Sequence, residues 1–198
     1  MDDAKPRIAE KPAPGRGGFG RGGARLLSLC RALAIAGGLV FVGLVGMELV
    51  SIVGRKLFSW TVPGDVEILQ MCAAFASAAF FAYCHMVSGD VKVDFFTHHL
   101  APAKVALLDA AGSLLVGAFG AVLTWRTAAG AVSLQEVGET SAILGFPVWI
   151  AQALMIPGFA LLAVAGFFMA GRLVRAAVLE RDRQAQDRPS SERQDESA

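Results

Sequence analysis

The chain has 198 residues, of which 55% are apolar and 18% are charged, and its net charge is +1 at pH 7. The apolar fraction is high for a soluble domain, and so small a net charge gives no indication of nucleic-acid binding. At this length, several long apolar segments exclude a separate soluble domain.

The charged residues leave four apolar segments, at residues 33–52, 68–86, 105–125 and 148–168. All eighteen Lys and Arg residues lie outside them, and the acids within them are Glu48 and Asp109. A helix of about 20 residues crosses a hydrocarbon core of about 30 Å, and a charge at its centre is costly. The sequence therefore predicts an all-α integral membrane protein with four transmembrane helices.

The basic residues predict the orientation of these spans. Fifteen of the eighteen precede the first span, follow the fourth, or lie between the second and third. The other three are Arg55, Lys56 and Arg126. Short loops rich in Lys and Arg stay in the cytoplasm. We therefore expect both termini to be cytoplasmic, which an even number of spans also requires.

Polar tails flank a membrane domain at residues 29–172. Residues 1–28 are basic and rich in Gly and Pro, and they predict a disordered cytoplasmic tail that contacts anionic lipid headgroups. Residues 173–198 form a charged cytoplasmic tail that alternates Arg with Asp and Glu. Its first turns are expected to continue the fourth helix before the chain becomes disordered.

The first loop, residues 53–67, carries charges at both of its ends. Arg55 follows the first span, and Asp65 and Glu67 precede the second. Charges at the rim of a membrane are easily hydrated, and surface ion pairs contribute little to stability. These side chains therefore either anchor the helix ends or pair with charged groups on a partner.

The two remaining loops differ in character. Residues 87–104 alternate apolar and polar side chains around Asp94, which predicts a segment lying in the plane of the headgroups. Residues 126–147 are predicted to form a longer, slightly acidic loop that enters the fourth span through Pro147 and Trp149. Proline fits a helix start because no hydrogen bond is lost there.

Small residues form several packing faces on the spans. Such residues let helix backbones approach closely in lipid, and here they outnumber what four helices need among themselves. We therefore predict a further partner within the membrane. The small residues are Gly38, Gly43, Gly46, Ala73, Ala74, Ser77, Ala78, Ser113 and Gly117.

The sequence shows no catalytic or cofactor site. Glu48 and Asp109 lie about 15–20 Å apart in depth, too far for one carboxylate site. An acid near an interface reaches water or a base such as Arg55, so we expect both acids to be structural. His85 alone falls within a span, so the facing histidine pair of a membrane haem site is missing. Nucleophile motifs and phosphate loops are also missing, which argues against an enzyme.

Five short motifs occur in order along the chain: GRKLF at 54–58, DVE at 65–67, GDVKVD at 89–94, LAP at 100–102 and FPVW at 146–149. Together they resemble the small permease subunit, of DctQ type, of tripartite ATP-independent periplasmic (TRAP) transporters. The resemblance covers about residues 33–168. It departs from the family pattern at Lys56, where the family has an aromatic residue, and at Asp90, where it has a histidine.

The resemblance implies a division of labour among three proteins. A large permease subunit of DctM type carries the substrate and Na⁺ sites, and a periplasmic binding protein of DctP type delivers an organic acid. This chain scaffolds the large subunit in the bacterial inner membrane and has no substrate, cofactor or metal site of its own. The residues then expected at an interface with these partners are Arg55, Asp65, Glu67, Asp94, Pro147 and Trp149.

Two other interpretations remain open from the sequence. A self-contained proton antiporter of the small multidrug-resistance kind carries a proton-exchanging Glu in its first helix, where Glu48 lies here. However, Glu48 is near the end of its span, and the loops of this chain are longer. A membrane anchor or assembly subunit of an unrelated complex would share the scaffold role without the transport system.

Overall fold

The computed structural model describes residues 21–60, 62–87 and 102–195, which form four helices. These are α1 (Arg21–Phe58), α2 (Asp65–Met86), α3 (Pro102–Val137) and α4 (Val148–Asp195). Each contains a segment long and apolar enough to cross a membrane. The predicted all-α fold with four transmembrane helices is therefore confirmed, whereas the cytoplasmic position of the termini stays a prediction.

Two helices extend beyond the predicted membrane domain. α1 begins at Arg21, which corrects the predicted boundary of the disordered N-terminal tail at residue 28. α4 continues through Asp195, further than the first turns that the sequence predicts. Ala, Leu, Arg, Gln and Glu are strong helix formers, so a helix does not end where its apolar segment ends. Residues 1–20 lie outside the described part of the chain.

α3 corrects the predicted third loop. The sequence predicts a loop from residue 126 to 147, whereas the helix continues through Val137. Thr127 and Ala131 are buried, so the added length packs against the rest of the protein. Gly138 follows the helix with a positive φ of 68°, the conformation in which glycine commonly ends a helix.

The four helices form a row. α1 contacts α2 and, over a small area, α4; α2 contacts α4, and α4 forms its most extensive contact with α3. Over their described lengths, neither α1 nor α2 contacts α3. α1 and α3 are therefore the two edges of the row, and α4 has the most buried of the four spans.

Small residues bring neighbouring helices together, as predicted for Ala78, Ser113 and Gly117. A Cβ atom added to Gly166 of α4 would overlap the backbone of Gly117 and Ser113 in α3. One added to Gly158 would lie 2.7 Å from the backbone of Ala78 in α2. Side chains at these positions would push the helices apart, so the close seams depend on glycine.

One side of α1 faces α2 and the other is uncovered. A Cβ atom added at Gly43 or Gly46, both predicted to pack, would meet no described atom within 4 Å. Leu39 and Val42 nearby are 70% and 71% exposed. In a membrane this side contacts lipid or a partner. The buried residues of α1, spaced by three, four or seven positions, are Gly23, Cys30, Ala34, Gly37, Leu44, Ser51 and Gly54.

Candidate functional site

The connections from α1 to α2 and from α3 to α4 meet at one end of the row, which we call the connector end. Gly64 and Leu144 join the two connections. Gly64 has a φ of +74°, which favours glycine, and a Cβ atom there would lie 2.6 Å from Cγ of Leu144. The residue before α2 is therefore constrained both by its backbone and by its neighbour.

Asp65 begins α2 and ties it to α1. The Ser51 hydroxyl donates a hydrogen bond of 2.6 Å to Asp65 Oδ2, and Arg55 Nη2 lies 3.5 Å from the same oxygen. Ser51 is fully buried, so its hydroxyl requires this acceptor. The Arg55 side chain is 62% exposed, so its ion pair contributes little stability and leaves the guanidinium accessible.

Glu67 ties α2 to the α3–α4 connection. Its Oε2 accepts hydrogen bonds from the Ser141 hydroxyl at 2.7 Å and the Leu144 N–H at 3.1 Å. Its Oε1 accepts one from the Ile143 N–H at 2.9 Å. Hydrogen bonds to a carboxylate are stronger than those between neutral groups. Glu67, Ser141, Ile143 and Leu144 thus form a cluster that fixes the connection, the Glu67 cluster.

Both carboxyl groups lie in the first turn of α2, ahead of the apolar segment that starts at Ile68. The Ser51 hydroxyl is the largest cause that lowers the pKa of Asp65, and backbone N–H donation adds to it. The Ser141 hydroxyl likewise lowers the pKa of Glu67, together with backbone N–H groups and against partial desolvation. Both groups are therefore carboxylates at neutral pH.

The α3–α4 connection also closes on itself. The Ser141 N–H donates to the Phe146 carbonyl at 2.8 Å, and the Gly145 N–H donates to the Ser141 carbonyl at 3.1 Å. The Val148 N–H, at the start of α4, donates to the Glu139 carbonyl at 3.2 Å. These bonds satisfy polar backbone groups that would otherwise depend on water at the membrane surface.

Pro147 and Trp149, predicted at an interface, lie on either side of the first residue of α4. Both are half-buried. Pro147 forms an isolated bridge with Thr140, and its carbonyl accepts the Ile150 N–H at 3.2 Å. Proline therefore occupies a helix start, as the sequence predicts. The structure thus places four of the predicted interface residues at the connector end with Arg55.

A polar cleft of about 540 Å³ lies beneath the α3–α4 connection. Its lining comes from α2, from α4 and from the α3–α4 connection, with Thr127 contributed by α3. The cleft exists because α2 and α3 both contact α4 without contacting each other. Its polar lining includes Glu67, Gln70, Thr127, Glu139, Ser141 and Gln152.

Gln70, Thr127 and Gln152 are functional candidates that sequence reasoning missed. The sequence contained a signal, because Gln70 and Gln152 are the only glutamines within the four predicted spans. Each lies within two turns of the connector end of its helix. An amide is costly in lipid without hydrogen-bonding partners, so two amides at similar depth indicate a shared polar site.

The remaining predicted residues lie apart from this cleft. Glu48 is half-buried in α1, and its Oε1 is buried without a hydrogen bond from any described residue. Asp109 is half-buried in α3, and α1 does not contact α3, so the two acids do not meet. Asp94 lies in the segment 88–101, outside the described residues. The described residues contain no cluster of His, Cys, Asp or Glu that could hold a metal ion.

Residues 44–178 match the family model described as tripartite ATP-independent periplasmic transporters, DctQ component. The chain belongs to the DctQ family. The matched range includes the connector end, the Glu67 cluster and the polar cleft. DctQ proteins are the small membrane component of TRAP transporters and are not enzymes. Neither the comparison with curated proteins nor that with solved structures gives a match.

Membership of the DctQ family confirms the resemblance carried by the loop motifs. It separates the chain from a small multidrug antiporter and from an anchor of an unrelated complex. The DctQ chain is a multi-pass membrane protein, with four helices able to span a membrane. Four of the five motifs, from GRKLF to FPVW, fall partly or wholly within described residues, and three of these (GRKLF, DVE and FPVW) build the connector end.

Proposed function

We propose that this DctQ chain scaffolds the large permease subunit of a TRAP transporter in the bacterial inner membrane. The large subunit, of DctM type, holds the solute and Na⁺ sites. A periplasmic binding protein of DctP type delivers the solute, an organic acid. The small subunit holds the large one in position and forms part of the surface on which the binding protein docks. Family membership and the open arrangement of the helices support this role.

The observation that carries the proposal is the row of four helices. A self-sufficient transporter encloses its site near the middle of the membrane, often between broken helices. Here the four described spans are continuous helices, and the intramembrane acids Glu48 and Asp109 lie on helices that do not touch. A row instead presents two broad faces and an uncovered edge at α1, which suits attachment to a larger membrane protein.

The connector end is the proposed periplasmic surface. Asp65 and Glu67 are held by donors within the chain, so they shape this surface. The exposed guanidinium of Arg55 and the side chains at Pro147 and Trp149 are the groups proposed to meet the partners. Asp94 belongs to the opposite, cytoplasmic side in this arrangement.

Reconstitution into lipid vesicles tests the proposal. Vesicles hold this chain alone, the large subunit alone, or both, and receive the purified binding protein loaded with a radiolabelled organic acid under a Na⁺ gradient. We expect uptake in vesicles that hold both subunits and none in vesicles with this chain alone. Full-rate uptake by the large subunit alone, or Na⁺-driven uptake by this chain alone, would contradict the scaffold role.

A further inference from the structure

The polar cleft carries more hydrogen-bonding capacity than the chain itself uses. Thr127 is only 9% exposed and lines the cleft, yet its hydroxyl bonds to no described residue. Thr124, one turn earlier, donates to the Gly120 carbonyl at 2.7 Å, which is how a threonine hydroxyl is commonly satisfied within a helix. Thr127 lacks that bond and lines the cleft, so its hydroxyl remains available to an occupant of the cleft.

The two amides in the cleft are equally available. Neither Gln70 nor Gln152 forms a side-chain hydrogen bond with a described residue, although both line the cleft. The Gln152 amide lies against Gly130 of α3, where a Cβ atom would overlap its nitrogen. The absence of a side chain at residue 130 therefore leaves room for the amide between α3 and α4.

The charge of the cleft defines its occupant. Glu67 and Glu139 line it, and among the described residues no Lys, Arg or His does. Glutamine carbonyls and the threonine hydroxyl add neutral acceptors. Acidic groups and neutral acceptors together suit a cation that donates several hydrogen bonds, an ammonium or a guanidinium.

We propose that the cleft receives a Lys or Arg side chain from the large permease subunit. This inference rests on the scaffold role, and it adds a specific contact to that role. A long basic side chain can extend its apolar stem along Met71 and Met155, which line the cleft, and carry its charge to the acceptors. Burying a charge in this way demands the several acceptors that the cleft supplies.

The depth of the cleft favours a protein side chain over a lipid headgroup. Met155 lies seven residues into α4, about 10 Å along the helix from its start at Val148, whereas each headgroup layer is about 5–7 Å thick. A lipid ammonium also brings a phosphate within a few bonds, and no basic residue lines the cleft to bind it. A basic side chain from a neighbouring helix brings no such anion.

Binding of the purified large subunit to the full chain in lipid nanodiscs tests the proposal. Three variants each remove one acceptor from the cleft, and three controls make the same changes outside it. We expect each cleft variant to weaken binding about tenfold, because a hydrogen bond to a charged group is lost, and each control to stay within about twofold. The cleft variants are Thr127→Val, Gln152→Leu and Glu139→Gln. The controls are Thr124→Val, Gln135→Leu and Glu136→Gln.

A charge reversal tests the sign of the occupant. Glu139 and Glu136 are both exposed, so lysine is accommodated at either position without disturbing the fold. If the occupant is basic, Glu139→Lys should weaken binding of the large subunit more than Glu139→Gln does. Glu136→Lys should leave binding unchanged. An equal effect of the two lysine variants would overturn the proposal.

The outcomes separate this inference from the scaffold role. If the wild-type chain does not bind the large subunit, both fail. If the wild-type chain and all cleft variants bind equally well, the scaffold role stands and the cleft contact is wrong. Native mass spectrometry of the chain alone tests the other candidate occupant, a lipid. If the cleft variants lose a bound phosphatidylethanolamine and keep the large subunit, the occupant is a lipid and the proposal is overturned.

Discussion

Asp65 and Glu67 are two positions apart in α2, and their carboxylates bind two different neighbouring parts of the chain. Residues at this spacing project to different sides of an α-helix. Asp65 therefore meets Ser51 and Arg55 of α1, while Glu67 meets Ser141 of the α3–α4 connection. The first turn of α2 is also where the helix dipole favours negative charge. A short acidic motif thus fixes α2 against both adjacent parts of the chain.

The first prediction concerns the protonation of Glu67. The fold lowers the pKa of Glu67 below its ordinary value of 4.5, so the folded state favours the carboxylate. The stability that this provides is complete above the ordinary pKa and is lost as the pH falls through the lower, folded pKa. We expect Glu67→Gln to lower the unfolding temperature at pH 7, and the difference from wild type to disappear in acid.

The matched control for this prediction is Glu136→Gln. Glu136 is exposed near the end of α3 and takes part in no hydrogen bond described above. Its replacement should leave the unfolding temperature close to that of the wild type at every pH. Unfolding of the detergent-purified protein, followed by far-ultraviolet circular dichroism from pH 3 to pH 8, provides the measurement. Equal behaviour of the two variants would show that the Glu67 cluster does not stabilise the fold.

The second prediction concerns Arg55 at the proposed docking surface. We expect Arg55→Glu to impair binding-protein-dependent uptake far more than Arg55→Ala, because a reversed charge turns attraction to a partner into repulsion. The protein should still reach the membrane at normal levels. Initial uptake rates at low and high salt provide the measurement, and wild-type rates at both would show that Arg55 is only an anchor.

The contact between Arg55 and Asp65 requires one further variant. Arg55→Glu also places two carboxylates together within the chain, where Arg55 Nη2 now lies 3.5 Å from Asp65 Oδ2. The double variant Arg55→Glu with Asp65→Asn removes this repulsion and keeps an acceptor for Ser51. If the double variant remains impaired, the partner is the cause. If uptake recovers, the defect arises within the chain.

The sequence predicts the location of these residues but not the partners of Glu67. The charges at residues 55, 65 and 67 flank one short loop, so their proximity follows from chain connectivity. The donors to Glu67 lie 74 to 77 positions further along the chain. Two of them are backbone N–H groups, which every non-proline residue possesses, so side-chain identity carries no signal for them.

At the scale of the helices, the bounds of α3 differ most from the sequence prediction. Hydropathy reports where lipid contact ends, near Trp125, whereas the helix ends where its last carbonyls find partners. The Gly138 N–H donates to the Leu134 carbonyl at 3.1 Å, and the Glu139 N–H donates to the same carbonyl at 3.2 Å. Glycine with positive φ makes this closure possible. The sequence alone does not single out this glycine, because Gly130 comes first after the apolar segment and lies within the helix.

The third prediction concerns the seam between α3 and α4. Gly166→Leu places a side chain against the backbone of Gly117 and Ser113, and overpacking a tight seam costs about 1–3 kcal/mol. We expect a lower unfolding temperature of the purified chain in detergent. Gly171→Leu makes the same change on the same helix, where a Cβ atom meets nothing within 4 Å, and should have little effect. Equal losses in both variants would show that the effect does not arise from the seam, since Gly→Leu by itself favours the helix.

At the scale of the whole molecule, the order of the helices in the row could not be predicted. Four apolar spans joined by loops are compatible with a closed bundle or an open row, because every side of such a helix tolerates lipid. The decisive features are close approaches such as Gly158 against Ala78, which place α4 beside α2 and leave α1 at an edge. Small residues predicted that contacts exist, but not which helices they join.

The last prediction concerns the orientation of the row. The two ends of the molecule differ in charge. Fifteen of the eighteen basic residues precede the first span, follow the fourth, or lie between the second and third, and so belong to the side opposite the connector end. The connector end instead contains the acidic groups of Asp65, Glu67 and Glu139. Translocation of Lys-rich and Arg-rich segments is disfavoured, so the connector end should face the periplasm. The proposed docking of a periplasmic binding protein depends on this orientation.

Reporter fusions measure the orientation directly. An enzyme that is active only in the cytoplasm should work when it follows Ala198 or is inserted near Phe96, and it should be silent at Gly138. A second reporter, active only in the periplasm, should give the opposite pattern at the same positions and thereby control for expression. Cytoplasmic activity at Gly138 would show that the orientation is the reverse of the one predicted. The Glu67 cluster and the polar cleft would then face the cytoplasm, and a binding protein would have to dock at the other end of the row.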